Sequence, residues 1–286
     1  MKRQFVSCTV ILVLVVLASG CSRDVPAEAP YPRLVTFSPA LTKLVFDMGL
    51  GTHVVGVTGY CRLPEGEVRP IVGDNLNVRA EPLLAVRPDV LLVQMELRHF
   101  AAVRKIRPDL TIEHFTIETL TDIARAMARI GQLTGNPDLG LEHKKAFLDR
   151  LEALRTRTES LPKSRVCFLM GYRNPSGPGK GTFIDQMITL AGGANVLAER
   201  FEGWRSPGLE TIMKLAPELI ICQCKPGQED TAADYWRSLQ YTDGQVPRVV
   251  TVTDDDWTLP AGHLAEYAER LAGFIHPEPD EEGATP

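Results

Sequence analysis

The sequence predicts an α/β protein of two similar lobes with mainly parallel sheets, joined by one long α-helix. Three features lead to this. First, a stretch occurs twice: residues 81–94 (EPLLAVRPDVLLVQ) and 210–223 (ETIMKLAPELIICQ) align without a gap, identical at the glutamate, the proline and the final glutamine and apolar at most other matched places. Each copy reads as a short amphipathic helix, a break at Pro88 or Pro217, which ends the helix because it cannot donate a backbone hydrogen bond, and a buried strand. The copies lie 129 residues apart. Solenoid units recur every ~20–50 residues, so one recurrence at about half the chain length means two alike lobes, each with its own sheet. Second, strand and helix patterns alternate through both halves, which implies parallel pairing. Third, residues 137–162 keep a helical pattern with no strand signal and therefore connect the lobes.

Within the first lobe, residues 34–136, Leu34 to Phe37 is a strand, Ser38 with Pro39 marks a helix start, and Leu41 to Met48 carries the apolar face of a helix closed by Gly49 and Gly51. Val54 to Val57 is the next strand, followed by a loop holding Tyr60 and Cys61. After the first repeat copy come a helix near Arg98 to Ile106, a short strand at Thr111 to Phe115 and a helix from Thr121 to Thr134. The second lobe, residues 163–276, restarts with a strand from Val166 to Met170, a loop from Tyr172 to Gly181 and a helix from Thr182 to Ala191 ended by Gly192 and Gly193. Trp204, the second repeat copy, a helix near Asp234 to Leu239, a strand from Val249 to Val252 and a helix from His263 to Ile275 follow. Each lobe is thus Rossmann-like, and two alike lobes commonly hold a ligand in the cleft between them. With 44% hydrophobic residues there is material for two modest cores. A helical connector resists hinge bending more than a pair of extended strands would.

The chain ends read differently. Lys2 and Arg3, the apolar run Val10 to Leu17 and the small residues Ala18 to Gly20 have the form of an export signal over residues 1–20. The run is shorter than the roughly twenty residues needed to span a bilayer. Residues 21–33 form a proline-containing tether, and the acidic tail 277–286 is expected to be disordered. Removing the leader takes 31 basic residues to 29 against 36 acidic ones, seven net negative charges, which argues against nucleic acid as a partner.

Four cysteines remain after Cys21: Cys61, Cys167, Cys222 and Cys224. They make no dense disulfide framework. Cys167 is expected in the core. Cys222 and Cys224 are expected on opposite faces of a strand end, and whether Cys61 pairs with Cys224 across the lobes stays open.

Leu-Ala-Ser-Gly-Cys (residues 17–21) resembles a bacterial lipobox, which implies that Cys21 is diacylated, and two acyl chains anchor a protein stably. The opening LVTFSPALTKLVFDMGLGTHVVGVTGYCRLP, both repeat copies, FIDQMITLAGGANV and the closing DDDWTLPAGHLAEYAERLAGFIHP resemble the helical-backbone (class III) substrate-binding proteins of ABC importers, most nearly those that bind vitamin B12. The likeness covers Leu34 to His276. It implies a shallow cleft, small opening and closing motions, and delivery of ligand to a permease dimer with its cytoplasmic ATPases, from a monomer anchored to the membrane and facing the periplasm or cell exterior.

The resemblance also assigns residues. Glu81 and Glu210 match the acidic residues, one per lobe, that dock on basic pockets of the permease; read without it, each glutamate favours its helix N-terminus. Tyr60, Trp204 and Trp257 match aromatic ligand contacts, and flat rings suit a large, partly apolar ligand such as a corrinoid, cobalamin or cobinamide. Where the B12 binders carry two further tryptophans this chain has Asn75 and Gln94, so the cleft is more polar on that side. With Asp74 and Asn77, these residues fit corrinoid amides, or else a ferric siderophore or haem. Tyr172, Arg173 and Asp256 enter as contacts through their loops alone, and His263 as a weak axial ligand to cobalt or iron.

Rival functions fit less well. GPGKGT (residues 177–182) lies between a strand and a helix, but a P-loop needs glycine at 174, where Asn174 stands, and Ser or Thr directly after Lys180, where Gly181 stands. No G-x-S-x-G elbow occurs. The six histidines are dispersed without an H-x-x-x-H pair, so neither an exported enzyme nor a metal-ion-capture protein is favoured. No catalysis and no resident cofactor are expected.

Overall fold

The computed structural model describes residues 32–74 and 77–277. Cys21, the export signal, Asn75 and nearly all of the acidic tail therefore lie outside the described residues, which belong to one compact unit.

The first lobe is built on β1 (Leu34–Thr36), α1 (Pro39–Asp47), β2 (Val54–Thr58), β3 (Ile71–Gly73), α2 (Ala80–Ala85), β4 (Val90–Val93), α3 (Ala101–Ile106), β5 (Thr111–His114) and α4 (Leu120–Leu133). Its five strands pair in parallel in the order β3-β2-β1-β4-β5. After the 22-residue α5 (Pro137–Thr158), the second lobe runs through β6 (Ser164–Met170), β7 (Gly177–Pro178), α6 (Phe183–Leu190), β8 (Gly193–Asn195), β9 (Trp204–Arg205), α7 (Leu209–Leu215), β10 (Leu219–Gln223), α8 (Glu229–Arg237), β11 (Arg248–Val252) and α9 (Leu264–Ile275). Its main sheet is also parallel, β11-β10-β6-β8, while β7 and β9 form a small antiparallel ribbon. Two lobes with parallel sheets are thus as the sequence predicts. The pairs β7/β9 and the strands β3 and β8 were not predicted, because two or three residues, most containing glycine, give no periodicity. The helix expected near Asp234 starts earlier, at Glu229.

The repeat extends to backbone detail. Neither proline ends its helix: α2 stops at Ala85 and α7 at Leu215, and the residues directly before Pro88 and Pro217, Arg87 and Ala216, turn the chain with φ of 47° and 44°. A left-handed non-glycine residue costs roughly 1–2 kcal/mol, so each turn needs support. An arginine supplies it in both lobes. Arg33 donates to the Val86 carbonyl at 2.9 Å, and Arg165 donates to the matching Leu215 carbonyl at 2.8 Å. Their backbone N–H groups donate in turn to Asp89 and Glu218, which follow the two prolines. Arg33→Ala or Arg165→Ala should cost about 1–3 kcal/mol of stability in denaturant unfolding, and lysine, which lacks the planar fork, should recover only part of it.

Buried side chains alternate along the central strands. Leu34, Leu92, Phe168 and Ile221 face one apolar cluster, while Val35 and Leu91 face a second, and Cys167 and Ile220 a third. The sequence led us to expect two separate cores. Instead the largest cluster runs through both lobes, from Leu34 and Leu92 through Ile123 of α4, Leu151 of α5 and Leu271 of α9 to Phe168 and Ile221. The α4–α5 hairpin is tight because Gly131 and Gly140 meet; a Cβ on Gly131 would sit 2.7 Å from the Gly140 Cα. Across the lobes, Gln186 of α6 accepts the Leu120 N–H at 2.8 Å, and Arg150 of α5 pairs with Glu269 of α9 at 2.7 Å. The back of the molecule is thus one packed layer, which restricts hinge bending more than the connector alone.

Candidate ligand-binding site

In each sheet the strand order reverses once. The chain leaves β1 toward β2 and leaves β4 toward β5; in the other lobe it leaves β6 toward β8 and β10 toward β11. The carboxyl ends of such neighbouring strands leave a crevice where ligands bind in open α/β sheets. At the first crevice stand Ser38 and Gln94, and at the second Gly171, Tyr172 and Gln223.

Two cavities open along these strand ends and share Asp255. The first, about 540 Å³, is lined from the first lobe by Tyr60, Arg62 and the α1 residues Lys43 and Asp47, and from the second by Asp254 to Asp256. The second, about 770 Å³, lies in the second lobe against Tyr172, Arg173, Gln223, Cys224 and Lys225. Both volumes suit small-molecule ligands. Their charge differs. Four aspartates face Lys43 and Arg62 in the first cavity, whereas Arg173 and Lys225 face only Asp255 in the second. Arg62 pairs with Asp255 from lobe to lobe, but both side chains are exposed, so the pair contributes little to stability.

The predicted residues fall in different places. Tyr60, 65% exposed, Tyr172 and Asp256 line the cavities. Tyr172 is held edge-on to Tyr235 with centroids 5.6 Å apart, and Arg173 lies 5.8 Å over its face. Gln94 stands at the first crevice, its side-chain oxygen accepting the hydroxyl of Ser38, the N-cap of α1. Trp204 is half-buried on β9 against Phe183 at 5.5 Å, beside neither cavity. Asp74 and Asn77 hydrogen-bond to each other at the end of β3.

Trp257 must be corrected. It is 0% exposed and packs among Phe168, Tyr267 and Phe274, with Arg270 5.2 Å over its ring. The aspartates before it form a 3-10 turn that brings their own side chains to the cleft and rotates the indole into the core. His263 is likewise unsuited as an axial ligand: its Nε2 bonds the Asp256 carbonyl at 2.8 Å, and its Nδ1 is buried. The rim below is locked by the Tyr267 hydroxyl donating to Asp254. Burial alone would raise the Asp254 carboxyl, but Tyr267, the Asp256 N–H and Arg270 together hold it below the usual carboxylate range.

All four described cysteines are free thiols. Cys61 rests 3.0 and 3.1 Å from the Thr42 and Thr58 hydroxyls. Cys222 and Cys224 do not point to opposite faces. Residues two apart on a strand share a face, and both lie in the same apolar cluster, where burial pushes the Cys222 thiol up to about 11. Neutral, buried thiols are poor nucleophiles and poor metal ligands. Among the described residues no group of three or more His, Cys, Asp or Glu converges as a metal site would require.

Glu81 and Glu210 are exposed in the first turns of α2 and α7, away from both cavities. Glu210 pairs with Lys214 one turn on at 2.7 Å, which lowers its carboxyl pKa. Residues that sequence reasoning missed include Lys43, Arg62, Asp255, Lys225 and Gln223. Only Gln223 carried a signal, since it occupies the same place in the repeat as Gln94.

Residues 34–237 match the family model of the periplasmic binding proteins. The chain belongs to that family. This binding protein is therefore a substrate-binding protein of the kind that serves ABC importers. It is 25% identical over 277 residues to the uncharacterized ABC transporter substrate-binding lipoprotein YvrC of Bacillus subtilis, covering 92% of this chain and 86% of the relative. It is also 25% identical over 241 residues to the vitamin B12-binding protein of Yersinia pestis, covering 81% of each. Among solved structures, the periplasmic haem-binding protein HutB of Vibrio cholerae superposes with a TM-score of 0.73 at 20% identity, over 86% of this chain and 99% of that one. The last likeness bears on fold alone.

Proposed function

We propose that this binding protein captures a corrinoid, cobalamin or cobinamide, in the cleft between its lobes and delivers it to an ABC permease dimer driven by cytoplasmic ATPases. One observation carries the reading: the crevice of each sheet ends in a glutamine, Gln94 and Gln223, and each leaves one half of its amide without a partner among the described residues. Neutral groups that both donate and accept suit the carboxamide-bearing rim of a corrin; Tyr172 lines the same cavity as Gln223, and Tyr60 the neighbouring one. Similarity to a vitamin B12-binding relative supports the same choice. On this reading Cys21 is lipidated, as the lipoprotein relative suggests, and holds the protein on a bacterial membrane, facing the periplasm or cell exterior. Glu81 and Glu210 dock the two lobes on the permease.

A second reading is favoured by Tyr60, whose exposed phenol stands in the first cavity beside Arg62; tyrosine oxygen ligates iron, so haem or a ferric siderophore is the alternative. Calorimetric titration with cyanocobalamin, cobinamide, haem and a ferric siderophore separates the two. Tight corrinoid binding is expected. Binding of haem or siderophore alone would overturn the corrinoid choice and leave the importer role standing.

A further inference from the structure

The two repeat glutamines present opposite halves of the amide group. At Gln94 the oxygen is occupied by Ser38, and the nitrogen donates to no described residue. At Gln223 the nitrogen donates to the Asp254 carbonyl at 3.2 Å, and the oxygen is buried with no donor. The partner fixes the orientation at Gln223. A carbonyl only accepts, so the Gln223 nitrogen must face Asp254; at Gln94 the Ser38 hydroxyl, which also accepts the Leu41 N–H, donates to the side-chain oxygen. Gln223 is 9% exposed and lines the larger cavity. Arg173, Lys225 and Gln228 border that cavity too, yet none donates to the Gln223 oxygen. The basic residues there attract a carboxylate at long range, whereas the orphan oxygen requires a donor at contact range.

We propose that Gln223 is a specificity-determining residue of the cleft, accepting a hydrogen bond from an N–H of a neutral carboxamide on the ligand and rejecting a carboxylate in the same place. The inference rests on the corrinoid reading, because corrinoids carry peripheral carboxamides where haem carries carboxylates. A ligand carboxylate would set oxygen against oxygen at a buried position, where an unmet acceptor is expensive.

The test titrates the protein and its Gln223→Met variant with cobinamide and with cobyrinic acid, in which carboxylates replace the amides. Methionine keeps the side-chain length and removes both hydrogen-bonding atoms. Wild type is expected to prefer the amide form by about tenfold or more, against the pull of Arg173 and Lys225. Gln223→Met is expected to bind cobinamide about tenfold more weakly and to lose most of that preference. A purely structural role for Gln223 would weaken both ligands alike and leave their ratio unchanged. Equal wild-type binding of the two forms, or a variant that keeps the full preference, overturns the assignment while the corrinoid reading stands. If wild type binds neither corrinoid and takes haem, the corrinoid reading falls and this inference with it. Should Gln223→Met fail to fold, Gln223→Leu, which also lacks both hydrogen-bonding atoms, takes its place in the same comparison.

Discussion

Glu81→Lys and Glu210→Lys are each expected to reduce ligand uptake in cells by about tenfold or more while leaving ligand affinity unchanged. Both carboxylates project from the first turn of a short helix at the matching place of the repeat, and neither lines a cavity. A docking carboxylate faces basic groups on its partner, so reversal puts like charges together, which costs several kcal/mol at an interface. Within the folded protein the same change acts only on a helix N-terminus, an effect of about 0.3–1 kcal/mol. Glu210 also loses its exposed pair with Lys214, which contributes about as little. Unfolding midpoints should therefore move slightly and calorimetric affinities not at all. Vesicle-reconstituted transport with wild-type permease reads the difference, and undiminished uptake by both variants would sink the docking assignment. Glutamine at either place, which removes charge without reversing it, should give an intermediate loss.

Trp257→Ala should destabilise the protein by about 3–5 kcal/mol, the largest single-residue effect we expect on stability. The indole fills the space among Phe168 of the second sheet and Tyr267 and Phe274 of α9, so truncation leaves a cavity at the joint between the cleft rim and the core. The variant would also release the rim turn that carries Asp254 to Asp256. Trp257→Phe should cost much less, because it keeps most of the ring area and removes an indole N–H that is buried without an acceptor. Denaturant unfolding measures both. If Trp257 were instead a ligand contact, alanine would lower affinity with stability nearly unchanged, which is the reverse of the expected pattern.

Much of the fold was legible because apolar runs and a long-range repeat mark it. The continuous apolar runs of Val90 to Val93 and Leu219 to Cys222 mark strands buried on both faces, and the recurrence of one pattern at half the chain length marks two lobes. Strands of two or three residues escaped for lack of a period. The site was legible only in part. Tyr60, Tyr172 and Asp256 follow strand ends, where side chains must reach the crevice. Trp257 occupies a similar loop, yet local sequence cannot say whether a four-residue turn rotates its ring toward solvent or core. His263 failed for the same kind of reason, since the backbone carbonyl that holds its Nε2 lies seven residues away.

What the amino-acid order determined by itself is the family likeness, the two parallel α/β lobes and the placement of matched glutamates and glutamines at matched ends of a repeated unit. These follow from local periodicity and from positions counted along the chain. Only the tertiary structure decided that one apolar cluster spans both lobes, that Arg33 and Arg165 brace the two strained turns, and that Gln94 and Gln223 leave opposite halves of the same group without a described partner. Each of these depends on residues tens of positions apart meeting at hydrogen-bond or van der Waals distance. Such contacts leave no spacing in the sequence by which they can be read.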